Sequence, residues 1–165
     1  MQHVQTRSTT SALVLTAVLI ALATLFTMYT KIPVPGIRGY FNVGDVVIMT
    51  SALLLGRKYG AYIGAIGPAL ADLFLGYAVF VPITFVVKGI EGYLVGTVYN
   101  NKTTTSALVA TIVGGIVIVA GYLIAEYFVF DPGVAIASIL TNTIQAVMSV
   151  IVSMILYAIL RKRLG

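Results

Sequence analysis

The feature that most constrains this chain is the length of its uncharged runs. No Asp, Glu, Lys or Arg occurs from Thr10 to Tyr29, from Thr103 to Ala125, or from Val134 to Leu160. A helix needs about 20 predominantly apolar residues to cross the roughly 30 Å hydrocarbon core of a bilayer. Only 9% of the chain is charged and 59% is hydrophobic, against about 25% charged in a soluble domain. The chain therefore reads as an all-α integral membrane protein.

About six segments have the pattern of membrane helices, over residues 10–29, 43–55, 59–75, 82–99, 106–128 and 134–160. Lys31-Ile32-Pro33-Val34-Pro35-Gly36 stops the first, because two prolines and a glycine do not continue a helix. Gly56-Arg57-Lys58 ends the short second. The third carries Pro68 and Asp72, which neighbouring helices must cover. Asp131-Pro132-Gly133 closes the fifth, and Arg161-Lys162-Arg163 follows the sixth. The first segment is too long for a signal peptide and lacks a small-residue cleavage site, so it is expected to be retained. Residues 1–165 are expected to form one six-transmembrane-helix bundle with no separate soluble domain.

Six crossings put both ends on one side. Arg7, Arg57, Lys58, Lys102, Arg161, Lys162 and Arg163 then share that side, Lys31 and Arg38 face the other, and Lys88 lies inside a helix. By the positive-inside rule both termini are expected to be cytoplasmic. The segments 31–42, 76–81 and 129–133 are then external loops. Asn101-Lys102-Thr103 has the form of a glycosylation acceptor, but it falls in a turn on the cytoplasmic side.

Several chemistries are excluded. The chain has no Cys and a single His, His3, so a thiol nucleophile, a disulfide framework and a thiolate or histidine-rich metal site are ruled out. No phosphate-cradling G-x-x-x-x-G-K-[ST], no G-x-S-x-G and no H-E-x-x-H occurs. If ATP drives any process here, a partner binds it. The halves show no inverted repeat of the secondary-transporter kind, and the basic charge is placed as in membrane loops rather than as in a nucleic-acid footprint.

Ionisable groups inside a membrane are costly and mark candidate sites. Thr84, Lys88 and Glu91 recur at spacings of four and three and share a face of the fourth helix. Ser138, Asn142, Gln145 and Ser149 form a stripe on the sixth, and Tyr122 and Glu126 lie one turn apart on the fifth. Thr84, Lys88, Tyr122, Glu126, Asn142 and Gln145 fall at similar depth in the outer halves of their helices, which predicts a polar pocket opening outward. For each, interhelical hydrogen bonding is the structural alternative; for Glu126 it is a pair with Lys88 or simple solvation. Glu126 is the strongest candidate, since a carboxylate without a basic neighbour on its own helix suits a cationic or donor-bearing ligand. Asp45 and Asp72 read as structural charges, one of them neutralised by Lys88. Tyr40, Phe41, Tyr77 and Phe80 lie in external loops or at helix ends, as interfacial anchors or, for Tyr40, Phe41 and Tyr77, as stacking walls for a flat ligand. Ala17 and Ala21 form a small-residue pair on the first helix, and Gly89, Gly92 and Gly96 line the fourth, both suited to close helix approach.

The ordered set Tyr40-Phe41-Asn42-Val43-Gly44-Asp45, Leu55-Gly56-Arg57-Lys58-Tyr59-Gly60, Gly67-Pro68-Ala69-Leu70-Ala71-Asp72-Leu73-Phe74-Leu75-Gly76-Tyr77, Pro82-Ile83-Thr84 and Lys88-Gly89-Ile90-Glu91-Gly92 resembles the substrate-binding S components of energy-coupling factor (ECF) vitamin transporters. It is most similar to the riboflavin, hydroxymethylpyrimidine and pyridoxine type branch. The resemblance covers roughly residues 10–160, with the specific motifs between 40 and 96. It implies a six-helix S component with both termini inside, a first external loop capping a ligand held by helices four to six, and Ala17 and Ala21 docking on a transmembrane coupling subunit. Two partner ATPases using ATP and Mg would energise transport, and this chain would bind no cofactor. The expected ligand is a small ring nitrogen compound such as hydroxymethylpyrimidine or a B6 vitamer, with riboflavin the rival. A stand-alone channel or facilitator and a purely structural assembly subunit are the alternatives of other classes. The apolar inner parts of helices four and six disfavour a continuous pore.

Overall fold

The computed structural model describes residues 9–33, 40–99 and 103–164. Its elements in chain order are α1 (Thr9–Tyr29), β1 (Ile32–Pro33), β2 (Tyr40–Phe41), α2 (Gly44–Leu55), α3 (Arg57–Phe74), α4 (Phe80–Val98), α5 (Thr104–Val129) and α6 (Pro132–Leu164). The fold is all-helical apart from a two-residue antiparallel pairing of Ile32 with Phe41 and Pro33 with Tyr40. That pairing lies within the segment expected to be a plain loop. The hairpin, the α3–α4 turn and the α5–α6 turn gather at one end of the bundle, called here the hairpin end. The start of α1, the α2–α3 joint, the α4–α5 connection and the last turns of α6 form the opposite end.

Helices α1, α4, α5 and α6 are long and apolar enough to cross a membrane. Their outward residues are correspondingly apolar, among them Leu13, Ile116, Leu140 and Ile155, each more than half exposed. Such faces suit lipid. Helix α2 is different. Its 12 residues rise only about 18 Å, and the stretch from Gly44 to Leu53 is buried. Neighbouring helices solvate it, so it is a core helix rather than a lipid-facing one. α6 runs past the expected stop at Leu160 as far as Leu164, because Arg and Lys are good helix formers and suit the negative end of the helix dipole.

Glycines set the tightest seam. A Cβ on Gly92 would lie 2.1 Å from the Gly60 carbonyl oxygen, one on Gly64 would lie 2.1 Å from that of Lys88, and one on Gly96 would lie 2.4 Å from the Arg57 backbone. α3 and α4 therefore touch backbone to backbone, as small residues permit in membranes. Gly56, at φ +92°, supplies the left-handed joint between α2 and α3 that a side chain would strain. α1 is pinned to α3 where the Thr24 hydroxyl donates to the Gly67 carbonyl at 2.9 Å. The apolar core fills the rest: Met49, Ala52, Val95, Ala107, Ala110 and Ile118 pack together at the centre, and Phe80, Ile83 and Val87 form a smaller cluster toward the hairpin end.

Candidate functional site

Helical spacing on α4 turns Thr84, Lys88 and Glu91 inward, and all three are buried. On α5, Tyr122 and Glu126 lie one turn apart, and on α6 Ser138, Asn142 and Gln145 follow the inward stripe. All of these except Glu91, which lies deeper, wall a polar cavity at the hairpin end, completed by Thr27, Asn42, Pro68, Asp72, Phe80 and Thr141. The space open to the centres of water molecules is about 40 Å³, room for a few waters. All six residues expected at similar depth, Thr84, Lys88, Tyr122, Glu126, Asn142 and Gln145, lie on this wall.

Two hydrogen-bonded groups divide the cavity. In the first, Lys88 Nζ donates to Asp45 Oδ1 at 2.5 Å, Gln145 Nε2 donates to Asp45 Oδ2 at 2.7 Å, and Gln145 Oε1 accepts the Asn42 backbone N–H at 3.0 Å. Gln145 thus joins α6 to the start of α2 and to the strand leading into it. The Asn42 side chain in turn accepts the Gly44 N–H at 2.8 Å. Glu91 Oε2 stands 3.5 Å from the Lys88 ammonium, and among the described residues neither Glu91 oxygen has a hydrogen-bond partner.

In the second group, the Ser138 hydroxyl donates to Glu126 Oε2, and Asn142 Nδ2 approaches the same hydroxyl at 3.4 Å. Opposite them the Thr84 and Tyr122 hydroxyls share a hydrogen bond of 3.0 Å. The Lys88 ammonium lies 5.4 Å from the Tyr122 ring centroid, within cation–π range. Glu126 is therefore bonded to Ser138 rather than to Lys88, and it lines the cavity. Among the described residues the wall carries Asp72, Glu126 and Lys88, and the Lys88 ammonium is engaged by Asp45 and Glu91 in the layer below. Such a site favours a ligand that brings donors or positive charge, and repels anions.

The remaining sequence candidates are placed as follows. Asp45 pairs with Lys88 beneath the cavity, as a structural charge does, whereas Asp72 takes a place in the cavity wall. Tyr77 is a correction: it does not line the cavity. It stands in the α3–α4 turn beside a separate shallow depression, with the Lys31 ammonium 4.9 Å from its ring centroid. Phe80, the first residue of α4, takes the aromatic place in the wall and stacks at 5.3 Å on Phe130. Tyr40 and Phe41 form β2 by their backbones, and their side chains lie outside the described residues. Ala17 and Ala21 are exposed on one face of α1.

Known proteins supply the comparison for this fold and cavity. A family model of the ECF-type riboflavin transporter S component matches residues 7–162. The chain belongs to this family. An uncharacterized Pyrococcus woesei protein from a gap 3' region is 41% identical over 145 residues, covering 86% of this chain and 96% of that protein. The thiamine precursor transporter HmpT of Lactococcus lactis subsp. cremoris (strain MG1363) is 29% identical over 149 residues, covering 89% and 83%. The S component of a bacterial ECF transporter has the same fold, with a TM-score of 0.78 at 21% identity over 96% of this chain and 99% of that one.

The family resemblance read from the motifs is thereby confirmed, and the S component is a transport subunit associated with an ECF module and a vitamin ligand. Sequence reasoning missed Thr27, Asn42, Pro68, Phe80 and Thr141 as wall residues of this S component. Three of these were visible as motif or helix-end residues, but nothing in their spacing turns them toward the cavity. Thr27 carries a signal only in three dimensions: a Cβ on Gly44 would lie 2.1 Å from its hydroxyl, so glycine at that position is what lets α1 approach the cavity.

Proposed function

We propose that this S component captures a small, unphosphorylated, nitrogen-ring vitamin precursor, hydroxymethylpyrimidine or a B6 vitamer, in the cavity walled by Thr84, Tyr122, Glu126, Asn142 and Gln145. The observation that carries this reading is the lining of the cavity: among the described residues it holds two carboxyl side chains, Asp72 and Glu126, and a lysine already paired with Asp45. Glu126 then accepts a ring N–H or exocyclic amine, Asn142 pairs with the adjacent polar edge, and Tyr122 and Phe80 flank the ring. The name of the Lactococcus relative, a thiamine precursor transporter, supports the same substrate class. Riboflavin, the vitamin in the family description, is the second reading. A cavity of about 40 Å³ must widen for either ligand, and much less for a single ring.

In this reading the six helices cross the prokaryotic plasma membrane with both termini cytoplasmic and the hairpin end outside. A transmembrane coupling subunit docks on the Ala17–Ala21 face, and two ATPase subunits supply ATP hydrolysis, with Mg, for delivery inward. The chain itself binds neither ATP nor metal. Denaturing the protein purified in mild detergent and identifying the released small molecule by mass spectrometry tests the substrate, followed by titration with single-ring vitamers, their phosphate esters and riboflavin. The expected result is binding of the unphosphorylated single rings and rejection of the esters. Loss of the charge-assisted hydrogen bond in Glu126→Gln weakens binding at least about tenfold while the protein stays folded. Tight binding of riboflavin alone, or unchanged affinity in Glu126→Gln, overturns the substrate assignment.

A further inference from the structure

Charge is distributed unequally between the two ends of this S component. Of its five acidic residues, Asp45, Asp72, Glu126 and Asp131 stand toward the hairpin end and Glu91 in the middle of α4. The opposite end carries Arg57, Lys58, Arg161 and Lys162, and among the described residues none of the four forms a salt bridge. Two of these cations line a concavity of about 350 Å³ between the first turn of α5 and the last turns of α6, together with Thr104, Tyr157 and Ala158.

Every side-chain polar group lining that concavity is a donor or can act as one. The Arg161 guanidinium lies 5.8 Å from the Tyr157 ring centroid, and the Tyr157 hydroxyl is hydrogen-bonded to that of Tyr99. Partial burial, and next the contact with Tyr157, push the Tyr99 phenol up to about 12. The Thr103 side chain accepts the Ser106 N–H at 3.1 Å, which leaves the Thr104 and Thr105 amides of the first turn without an intrahelical acceptor, at the positive end of the α5 dipole.

The second observation is independent of charge. An apolar groove of about 490 Å³ runs between α5 and α6 over Ile112, Ile116, Ala120, Val147 and Ile151. Its floor is low because Gly115 meets Ala146 there, a Cβ on Gly115 lying only 3.3 Å from that of Ala146. Ile151 and Ala158 are seven residues apart on α6, so groove and concavity occupy the same helix face about 10 Å apart. A cationic, donor-lined hollow about 10 Å along the same helix face from an apolar furrow has the amphipathic spacing of a single lipid, headgroup and chain. A soluble anion would leave the furrow empty, and an acidic protein surface would have no group for it.

We propose that one anionic phospholipid binds here, its phosphate between Arg161, Lys162 and the first turn of α5 and one chain along the α5–α6 groove. The site does not depend on which vitamin occupies the cavity at the other end. Native mass spectrometry of the full chain, with equal amounts of palmitoyl-oleoyl phosphatidylglycerol and phosphatidylcholine, tests it, with glycerol 3-phosphate as the soluble headgroup. The wild type is expected to retain phosphatidylglycerol at least about tenfold over phosphatidylcholine, since each basic residue near the headgroups contributes about 1 kcal/mol. Arg161→Gln with Lys162→Gln, both exposed positions, brings the ratio close to one with the melting temperature in detergent unchanged. The single variants give intermediate ratios and serve if the double variant does not fold. Ala120→Phe fills the groove and lowers retention of both lipids. No preference in the wild type, an unchanged preference in the double variant, full retention in Ala120→Phe, or glycerol 3-phosphate bound as well as the lipid would each overturn the proposal, the last by showing a site for free phosphate.

Discussion

Two adjacent sides of α4 hold the bundle by opposite means. One side, Gly89, Gly92 and Gly96, presses backbone against α3, with no polar group and no space between. The other, Thr84, Lys88 and Glu91, meets α5 and α2 through side chains, Thr84 with Tyr122 and Lys88 with Asp45, and Thr84 and Lys88 line the cavity. Close backbone packing has a single good geometry, because van der Waals attraction falls off within an ångström. Long polar side chains can exchange partners among protein groups, water and ligand. The difference makes the α3–α4 seam the rigid part of the bundle and leaves the polar side of α4, with α5 and the start of α2, as the part whose contacts can rearrange.

Lys88 belongs to the polar side yet holds α2 through Asp45. Lys88→Met leaves Asp45 and Glu91 buried without a cation, and is expected to cost about 3 to 5 kcal/mol of stability. Adding Asp45→Asn recovers part of it, read as melting temperature in detergent. On the glycine side, Gly92→Val drives a side chain into the Gly60 carbonyl and is expected to cost about 1 to 3 kcal/mol or more; a variant as stable as the wild type would show that the seam is not the scaffold. Gln145→Leu removes the bridge between α6, Asp45 and the Asn42 amide. A loss of about 1 to 2 kcal/mol is expected, because a buried amide and a carboxylate oxygen lose their partner, together with weaker ligand binding. The smallest effect is at Ala17→Trp on the exposed α1 face, which should leave stability within about 0.5 kcal/mol and ligand affinity unchanged while abolishing uptake by the assembled transporter. Normal uptake would remove α1 as the docking surface.

Much of this molecule is legible in its amino-acid sequence. Runs of uncharged residues locate the helices to within a few positions, and a period of 3.6 puts Thr84, Lys88 and Glu91 on one face. Equal depth along three helices implies a shared pocket for Tyr122, Glu126, Asn142 and Gln145. The ordered motifs between Tyr40 and Gly92 place the chain in its family. Each of these is a local property, set by rise, period and hydropathy within a single segment.

What the sequence leaves open depends on separations across helices. Asp45 and Asp72 are equal candidates for Lys88 in one dimension, and only the fold brings Asp45 within 2.5 Å while placing Asp72 on the cavity wall. Phe80, not Tyr77, joins Tyr122 as an aromatic residue of the wall, because the α3–α4 turn carries Tyr77 toward Lys31. An ion pair or a stacking contact is decided by a few ångströms, and those are set by how closely backbones meet. In this chain Gly44, Gly60, Gly64 and Gly92 fix that approach, and a glycine in a sequence does not say which neighbour it admits.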